Sequence, residues 1–268
     1  MKLSFSTLAC PNWSFSEIVS AAKDLGYDGI EFRGVEREMY APKIKEFQDE
    51  NIKSTMNRLK KLDIEIPILS SAAYLFDKKH IDTMLNEAYD YVVLAHELGV
   101  DYVRVLGDYD AKWSGNEIDI DFLLNNFKKV CLFAHNLDVT VLLETNGIFG
   151  DSKCINEFLE MADMENSGVL WDIHHTYRFF DEKPADTVKI LDDKIKHVHI
   201  KDSIIENDKV IYKMTGTGNI PCENALKALK DNGYNEYISL EWVKRWMVDL
   251  TEAEIALPHF IYYINNLL

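Results

Sequence analysis

The sequence contains no stretch approaching ~20 consecutive apolar residues, the length a membrane-crossing helix requires. A membrane-spanning class is therefore not expected. Positive charge is scarce: 29 Lys and Arg stand against 45 Asp and Glu, a formal net charge of -16. Nucleic-acid binding draws its affinity from Lys and Arg neutralising phosphates, so no DNA or RNA partner is expected. Cysteine is scarce too. Cys10, Cys131, Cys154 and Cys222 form no CxxC pair and no Cys/His spacing suited to zinc. A disulfide framework is unexpected at that density, and four reduced, mostly buried thiols are the expectation. Cys10, just past a strand-like run, is the one to watch. No G-x-G-x-x-G follows a strand-like segment, which counts against a dinucleotide-binding sheet, and the G-T-G at 216–218 is too short for that role. The opening MKLSFSTLACPNWSF lacks the longer apolar region and small-residue cleavage site of a signal peptide and reads as a first strand. A soluble, cytoplasmic protein is the expectation.

What is present is alternation. Strand-like runs occur at 3–8, 29–33, 64–69, 102–106, 139–144, 168–173, 197–201 and 237–241, with longer amphipathic segments between them. That pattern indicates a parallel sheet with crossover helices. Ser14 and Glu17 form an S-x-x-E capping box, and Gly26 and Gly99 stand where helix-ending glycines belong. Pro221 suits the first turn of a helix that ends at Gly233. The segments LGYDGIEF, LGVDYVRV and NGYNEYISL repeat one plan, a helix-ending glycine followed by a strand. Eight such strand–helix units in 268 residues match an α/β fold of the (β/α)8 TIM-barrel type, as one domain over 1–268. An open doubly wound sheet is the alternative.

Four strand ends carry side chains that bind metals. They offer Glu144 in LLETN, Asp172 with His174 and His175 in WDIHH, His197 and His199 in HVHIKD, and Glu241 in SLEW. In a barrel such ends meet on the catalytic face. A lone carboxylate there is ordinarily salt-bridged or solvated. Four such metal-binding positions, in four consecutive strands, suggest one shared divalent cation, because buried unpaired charge is costly. Three carboxylates and one imidazole suit Mn²⁺ best, with Mg²⁺, Co²⁺ or Zn²⁺ as alternatives. His197 and His199 point to one side of their strand, and position does not choose between them. Lys201 continues that side at the rim. Glu31 and Arg33 end the second strand. Arg104, inside an apolar strand, needs an anionic partner: it pins a metal-binding glutamate or contacts substrate. Trp13, Trp171 and Trp242 flank strand ends, as core packing or as an apolar wall for a sugar ring.

LLETN, WDIHHTYR, HVHIKDS and GYNEYISLEW, in this order, together with NWSFSEIVSAAKDLGYDGIEFR, resemble the sugar phosphate isomerase/epimerase family of xylose isomerase-like TIM barrels. The resemblance covers essentially the whole chain. It implies a metal set of Glu144, Asp172, His199 and Glu241, and a substrate contact from His175. It also implies that Glu144 and Glu241 move the proton. Two positions depart from the ketose epimerases of the family: Gly150 and Ile205 stand where those carry Glu and Arg. The HIKD motif with Lys201 is closer to the isomerases and inosose dehydratases. Endonuclease-four-type members need a histidine-rich set, and eight histidines with a charge of -16 do not suit them.

The expected activity is metal-dependent isomerisation or epimerisation of a small sugar, sugar phosphate or polyol through an enediolate. Glu144 and Glu241 act as acid and base, and His175 or Lys201 polarises oxygen. Trp13, Arg33, Arg104, Asn146, Arg178 and Trp242 are the expected substrate-binding residues. Alternatives are a metal-dependent dehydratase of a keto-cyclitol and a non-catalytic sugar-binding barrel. A homodimer is compatible with the resemblance.

Overall fold

The capping box forms as its spacing requires. In the computed structural model, which describes residues 1–115 and 117–267, the Ser14 side chain accepts from the Glu17 amide. The Glu17 carboxylate accepts from the Ser14 amide at 2.7 Å. The helix so started ends at Gly26, whose φ of 80° is a left-handed conformation that costs glycine little.

The chain divides into two compact units, Met1–Pro67 with Val198–Leu268, and Ile68–His197. The first begins with β1 (Lys2–Ser6), α1 (Phe15–Leu25), β2 (Gly29–Glu31) and α2 (Asp49–Lys61). Phe15 stacks on Phe32 at 5.4 Å between ring centres, and Phe47 meets Phe32 edge-on at 5.0 Å. These rings seal α1 onto its strand.

The second unit runs β3 (Leu69–Tyr74), α3 (Ile81–Leu98), β4 (Tyr102–Leu106), α4 (Ile120–His135), β5 (Thr140–Glu144), α5 (Ser152–Ala162), β6 (Ser167–Asp172), α6 (Ile173–Phe180) and α7 (Pro184–Leu191). Strands β3 to β6 pair in sequence order, all parallel. Ile68, Leu142 and Leu170 form a buried cluster backed by Tyr102. Phe127 and Phe149 pack on Phe158 of α5 at 5.5 and 5.0 Å. Gly107 is needed here, because a Cβ would enter the Phe149 ring.

The remaining elements are β7 (Ile195–Ile200), β8 (Asp202–Glu206), β9 (Lys209–Lys213), α8 (Cys222–Asp231), β10 (Tyr237–Leu240) and α9 (Ala253–Asn265). In the first unit β10 lies parallel between β1 and the Val198–Ile200 end of β7. Eight parallel strands with intervening helices are thus present among the described residues. No described helix is long and apolar enough to cross a membrane.

Several local expectations shift. The third strand is not 64–69 but Leu69–Tyr74. Pro67 has no amide to give a sheet, and upstream of it only Glu65 bridges to Gly29. The true strand is Ser- and Ala-rich, so an apolar-run reading passes it by. Ile173 begins α6 instead of ending β6, because Asp172 caps that helix by accepting from the His175 amide. Pro221 stands at the N-cap, one position ahead of the first turn. The hairpin of β8 and β9 was not anticipated. Its two-residue loop, Asn207-Asp208, has φ of 50° and 60°, the signature of a tight type I′ hairpin. The thiols are as expected. Burial pushes Cys10 and Cys131 up to about 12, which removes Cys10 as a reactive thiolate.

Asp202 explains the G-T-G segment. Its fully buried carboxylate accepts from the amides of Ser203, Gly216, Gly218 and Ile220 at 2.7, 2.9, 2.8 and 3.0 Å. A Cβ at Gly218 would collide with that carboxylate. Asp202→Ala leaves those amides without their acceptor and should lower stability by about 3 kcal/mol. Urea unfolding measures the loss, and Asp202→Asn should recover part of it.

Candidate active site

Within the Ile68–His197 unit the site is built around Glu144, the last residue of β5 and 3% exposed. Arg104 comes from the middle of β4, where its backbone pairs with Leu142. Its guanidinium donates to Glu144 Oε2 at 2.6 Å and to the Ser71 carbonyl at 2.7 Å. Ser71 Oγ in turn donates to the Arg104 carbonyl at 2.6 Å. Arg104 thus pins the glutamate. The other oxygen, Oε1, lies 3.6 Å from His175 Nδ1.

Asp172 ends β6 and is fully buried. Its amide donates to Thr145 Oγ1 at 2.8 Å, which ties the exits of β5 and β6 together. His175 lies in the first turn of α6. Its Nδ1 is 2.9 Å from the Thr145 carbonyl, which can only accept, so Nδ1 carries the proton. Nε2 then turns to Asp172 Oδ2 at 3.6 Å. The ring of Phe179 stacks on His175 at 6.0 Å. His174 is fully buried beside it, and the donor atoms of Asp172, His174 and His175 lie within 4.8 Å of one another.

In the other unit Glu241, just past β10, is 6% exposed. Its Oε2 accepts from the Lys201 ammonium, which is itself buried. Its Oε1 lies 3.5 Å from His199 Nδ1. His199 Nε2 bonds to Glu31 Oε2 at 2.9 Å. A Glu31 carboxylate accepting from Nε2–H leaves the Nδ1 lone pair on the Glu241 side. An imidazole oriented by an outer carboxylate is the usual arrangement of a metal-binding histidine. The donor chemistry of both units, carboxylate oxygens and imidazole nitrogens, therefore suits a hard or borderline divalent cation.

The other expected residues have more varied surroundings. Asn146 donates to the Asp108 carbonyl at 2.9 Å. Burial pushes the Asp108 carboxyl up, and the Tyr109 amide, at 2.7 Å, works against that shift. Arg178 is half-buried in the last turn of α6. Trp242 is buried, its indole N–H donating to the Thr251 carbonyl at 2.8 Å. Trp13 is half-buried in the loop after β1, its amide on the Cys10 carbonyl at 3.1 Å. Arg33 is buried, with its amide on Thr7 Oγ1 at 3.0 Å. Trp171 is core, its N–H on Thr176 Oγ1. One acid near the site, Asp108, escaped sequence reasoning, and Glu31 was named only as a polar strand end. Glu31 was visible as an acid inside the apolar run GIEF, but nothing in the sequence tied it to His199. Asp108 lies two residues past the apolar strand β4.

The Arg104–Glu144 pair gives a direct test. Arg104→Met leaves a buried carboxylate without its cation and should cost about 3 kcal/mol of stability. Adding Glu144→Met should restore most of it, as read by urea unfolding of the single and double variants.

Comparison with known proteins places this geometry. Residues 19–259 match the family described as Xylose isomerase-like TIM barrel. A fructoselysine 3-epimerase of Escherichia coli O157:H7 is 23% identical over 247 residues, 84% of each chain. A 3-dehydroshikimate dehydratase of Bacillus anthracis is 22% identical over 275 residues, 95% of each chain. Among solved structures, a probable 3-dehydroshikimate dehydratase from the same organism superposes with a TM-score of 0.82 at 20% identity, covering 99% of both chains. The IolI protein, solved with a bound zinc atom, superposes with a TM-score of 0.80 at 19% identity, over 100% of this chain and 99% of that one. With eight parallel strands, buried acids at their ends and a family match over most of its length, the chain belongs to the xylose isomerase-like TIM barrels.

Proposed function

We propose that this protein is a divalent-metal-dependent isomerase or epimerase of a small sugar, sugar phosphate or related polyol. The relatives with named activities are enzymes, epimerases and dehydratases, which supports catalysis as such. One observation carries the reading. Each unit buries a glutamate with one oxygen held by a cation and the other facing an imidazole: Arg104–Glu144–His175 in one, Lys201–Glu241–His199 in the other. A carboxylate fixed in this way has a defined oxygen for taking or returning a proton.

Glu144, Asp172, His199 and Glu241 are the residues proposed to hold the cation, with Mn²⁺ the best match to this donor set. When bound, the cation supplies Lewis-acid polarisation of a carbonyl and stabilises charge that develops on its oxygen. Glu144 or Glu241 removes the proton from the carbon next to that carbonyl. Return of a proton to the opposite face of the same carbon inverts it, and return to the former carbonyl carbon, with the hydroxyl proton passing to the former carbonyl oxygen, isomerises the substrate. Lys201 donates a hydrogen bond to a substrate oxygen, and His175, its Nδ1 proton held by the Thr145 carbonyl, accepts from a substrate hydroxyl at Nε2. Trp13 and Trp242 flank the sugar, Arg33, Asn146 and Arg178 meet its hydroxyl or acidic groups, and Arg104 acts through Glu144.

A second reading, dehydration of a keto-cyclitol or related keto acid, is favoured by the Lys201–Glu241 ion pair. An ammonium at that position can protonate a departing hydroxyl after Glu144 or Glu241 has taken the α-proton.

Incubation of keto sugars and inososes with the protein and Mn²⁺ in D₂O should give deuterium uptake at carbon. Product mass separates the readings, unchanged apart from deuterium for isomerisation and lower by one water for dehydration. Glu144→Gln and Glu241→Gln should each lower uptake by about 10²-fold or more with the fold intact by circular dichroism. Full turnover in both variants would overturn the assignment. Chelation should abolish the activity and added Mn²⁺ should restore it.

A further inference from the structure

Trp246, Met247 and Val248 follow one another in the loop after β10 and are 57, 43 and 74% exposed. Among the described residues no other run of consecutive large apolar side chains is so exposed. The run is firmly held. The buried Lys244 ammonium donates to the Val248 and Leu250 carbonyls and to the Glu252 carboxylate, each at 2.7 Å. The Trp246 and Met247 amides both donate to the Val243 carbonyl at 3.0 Å. Arg245 fastens the loop from outside. It donates to the Glu36 carbonyl at 2.8 Å, on the turn whose Met39 carbonyl accepts from Arg33. Three apolar side chains are thus held out into water by a loop whose central cation has all its donors in use. Apolar surface displayed in this way is unfavourable in water and marks a contact site.

A cavity of about 440 Å³ opens beside the run, within the same unit. Its apolar wall is Val210, Ile211 and Tyr212 of β9 with Met214, and, from the loop, Met247 and Leu250. Ile205, the cross-strand partner of Val210, continues this surface and is 48% exposed. The cavity is also lined by one side chain of each charge, Lys213 and Asp249. Neither has an ion-pair partner among the described residues. One face therefore carries a projecting apolar run, an apolar hollow and charges that cancel. A chain of net charge -16 repels its own copies over most of its surface, and here two copies can meet without that repulsion. Two-fold association needs a patch of this kind, in which each copy offers both the part that inserts and the part that receives.

We propose that this face docks a second copy of the chain about a two-fold axis. Trp246 and Val248 of each copy cover the hollow walled by β9 of the other, with Trp246 as the anchor. Lys213 of each copy meets Asp249 of the other. The two walls of the hollow are the segments that follow Lys201 and Glu241, so the docking braces the chain just beyond both residues. It holds whichever reaction the protein catalyses.

Analytical ultracentrifugation of the full chain at micromolar concentration should give twice the mass of one copy. Trp246→Ala and Val248→Asp should each weaken self-association by about tenfold or more. Leu132→Ser, at a 59% exposed apolar position on α4, should leave it unchanged. Lys213→Glu and Asp249→Lys should each weaken it, and the double variant should recover it, because the pair is then reversed and not lost. Circular dichroism checks that each variant is folded. Val248 lies outside the core, so Val248→Asp and the charge reversals decide the matter even where Trp246→Ala fails to fold. A wild type with the mass of a single copy overturns the proposal and leaves the face to a different partner. A dimer that survives Val248→Asp and both single charge reversals unchanged overturns it as well, by placing the interface elsewhere.

Discussion

An ionised carboxylate taken out of water must be met by charge or by hydrogen bonds, and much of the local structure answers that demand. Glu144 at the end of β5 requires a cation, and Arg104 on the neighbouring strand supplies it. The guanidinium has donors to spare, so the next strand must offer a carbonyl close by, and Ser71 does. Ser71, in the small-residue stretch Ser70–Ala73 of β3, also donates its hydroxyl to the Arg104 carbonyl. In the other unit the same demand links Glu241 to Lys201, and His199 to Glu31.

What the sequence disclosed, and what it hid, has the same physical origin. Alternation of apolar runs with capped amphipathic segments is a local property, so strands such as Tyr102–Leu106 and Thr140–Glu144 were legible almost to the residue. Acids at the ends of apolar runs stand out because they break the pattern, so Glu144, Asp172 and Glu241 were visible as candidates. Pairings between distant residues leave no such trace. Nothing in the chain announces that Glu31 bonds to a histidine 168 residues away, or that Arg245 shares a turn with Arg33. The third strand was misplaced because its Ser- and Ala-rich sequence carries no apolar run, while the apolar run before it contains Pro67. The β8–β9 hairpin was missed although Asn207-Asp208 is a turn signal, because its strands are half-exposed and carry mixed polarity.

The two reactions suggested by the relatives need the same beginning, loss of a proton next to a carbonyl. They part only after that step, and so the buried glutamates do not by themselves distinguish them. On the proposed reading the difference comes from the groups that would meet the departing or returning atoms, and Lys201, paired with Glu241, is the proposed one. By the resemblance to the family, Gly150 and Ile205 stand where its ketose epimerases carry Glu and Arg, and Ile205 lies in β8.

The loop at 216–220 has the features of a phosphate cradle, with glycines and several amides turned toward one point. Its occupant is already there, covalently part of the chain: the carboxylate of Asp202. A cradle filled from within has no vacancy to offer a ligand. A glycine-rich signature in a sequence of this kind can therefore mark a counterfeit, an anion pocket whose anion was supplied by evolution as a neighbouring residue.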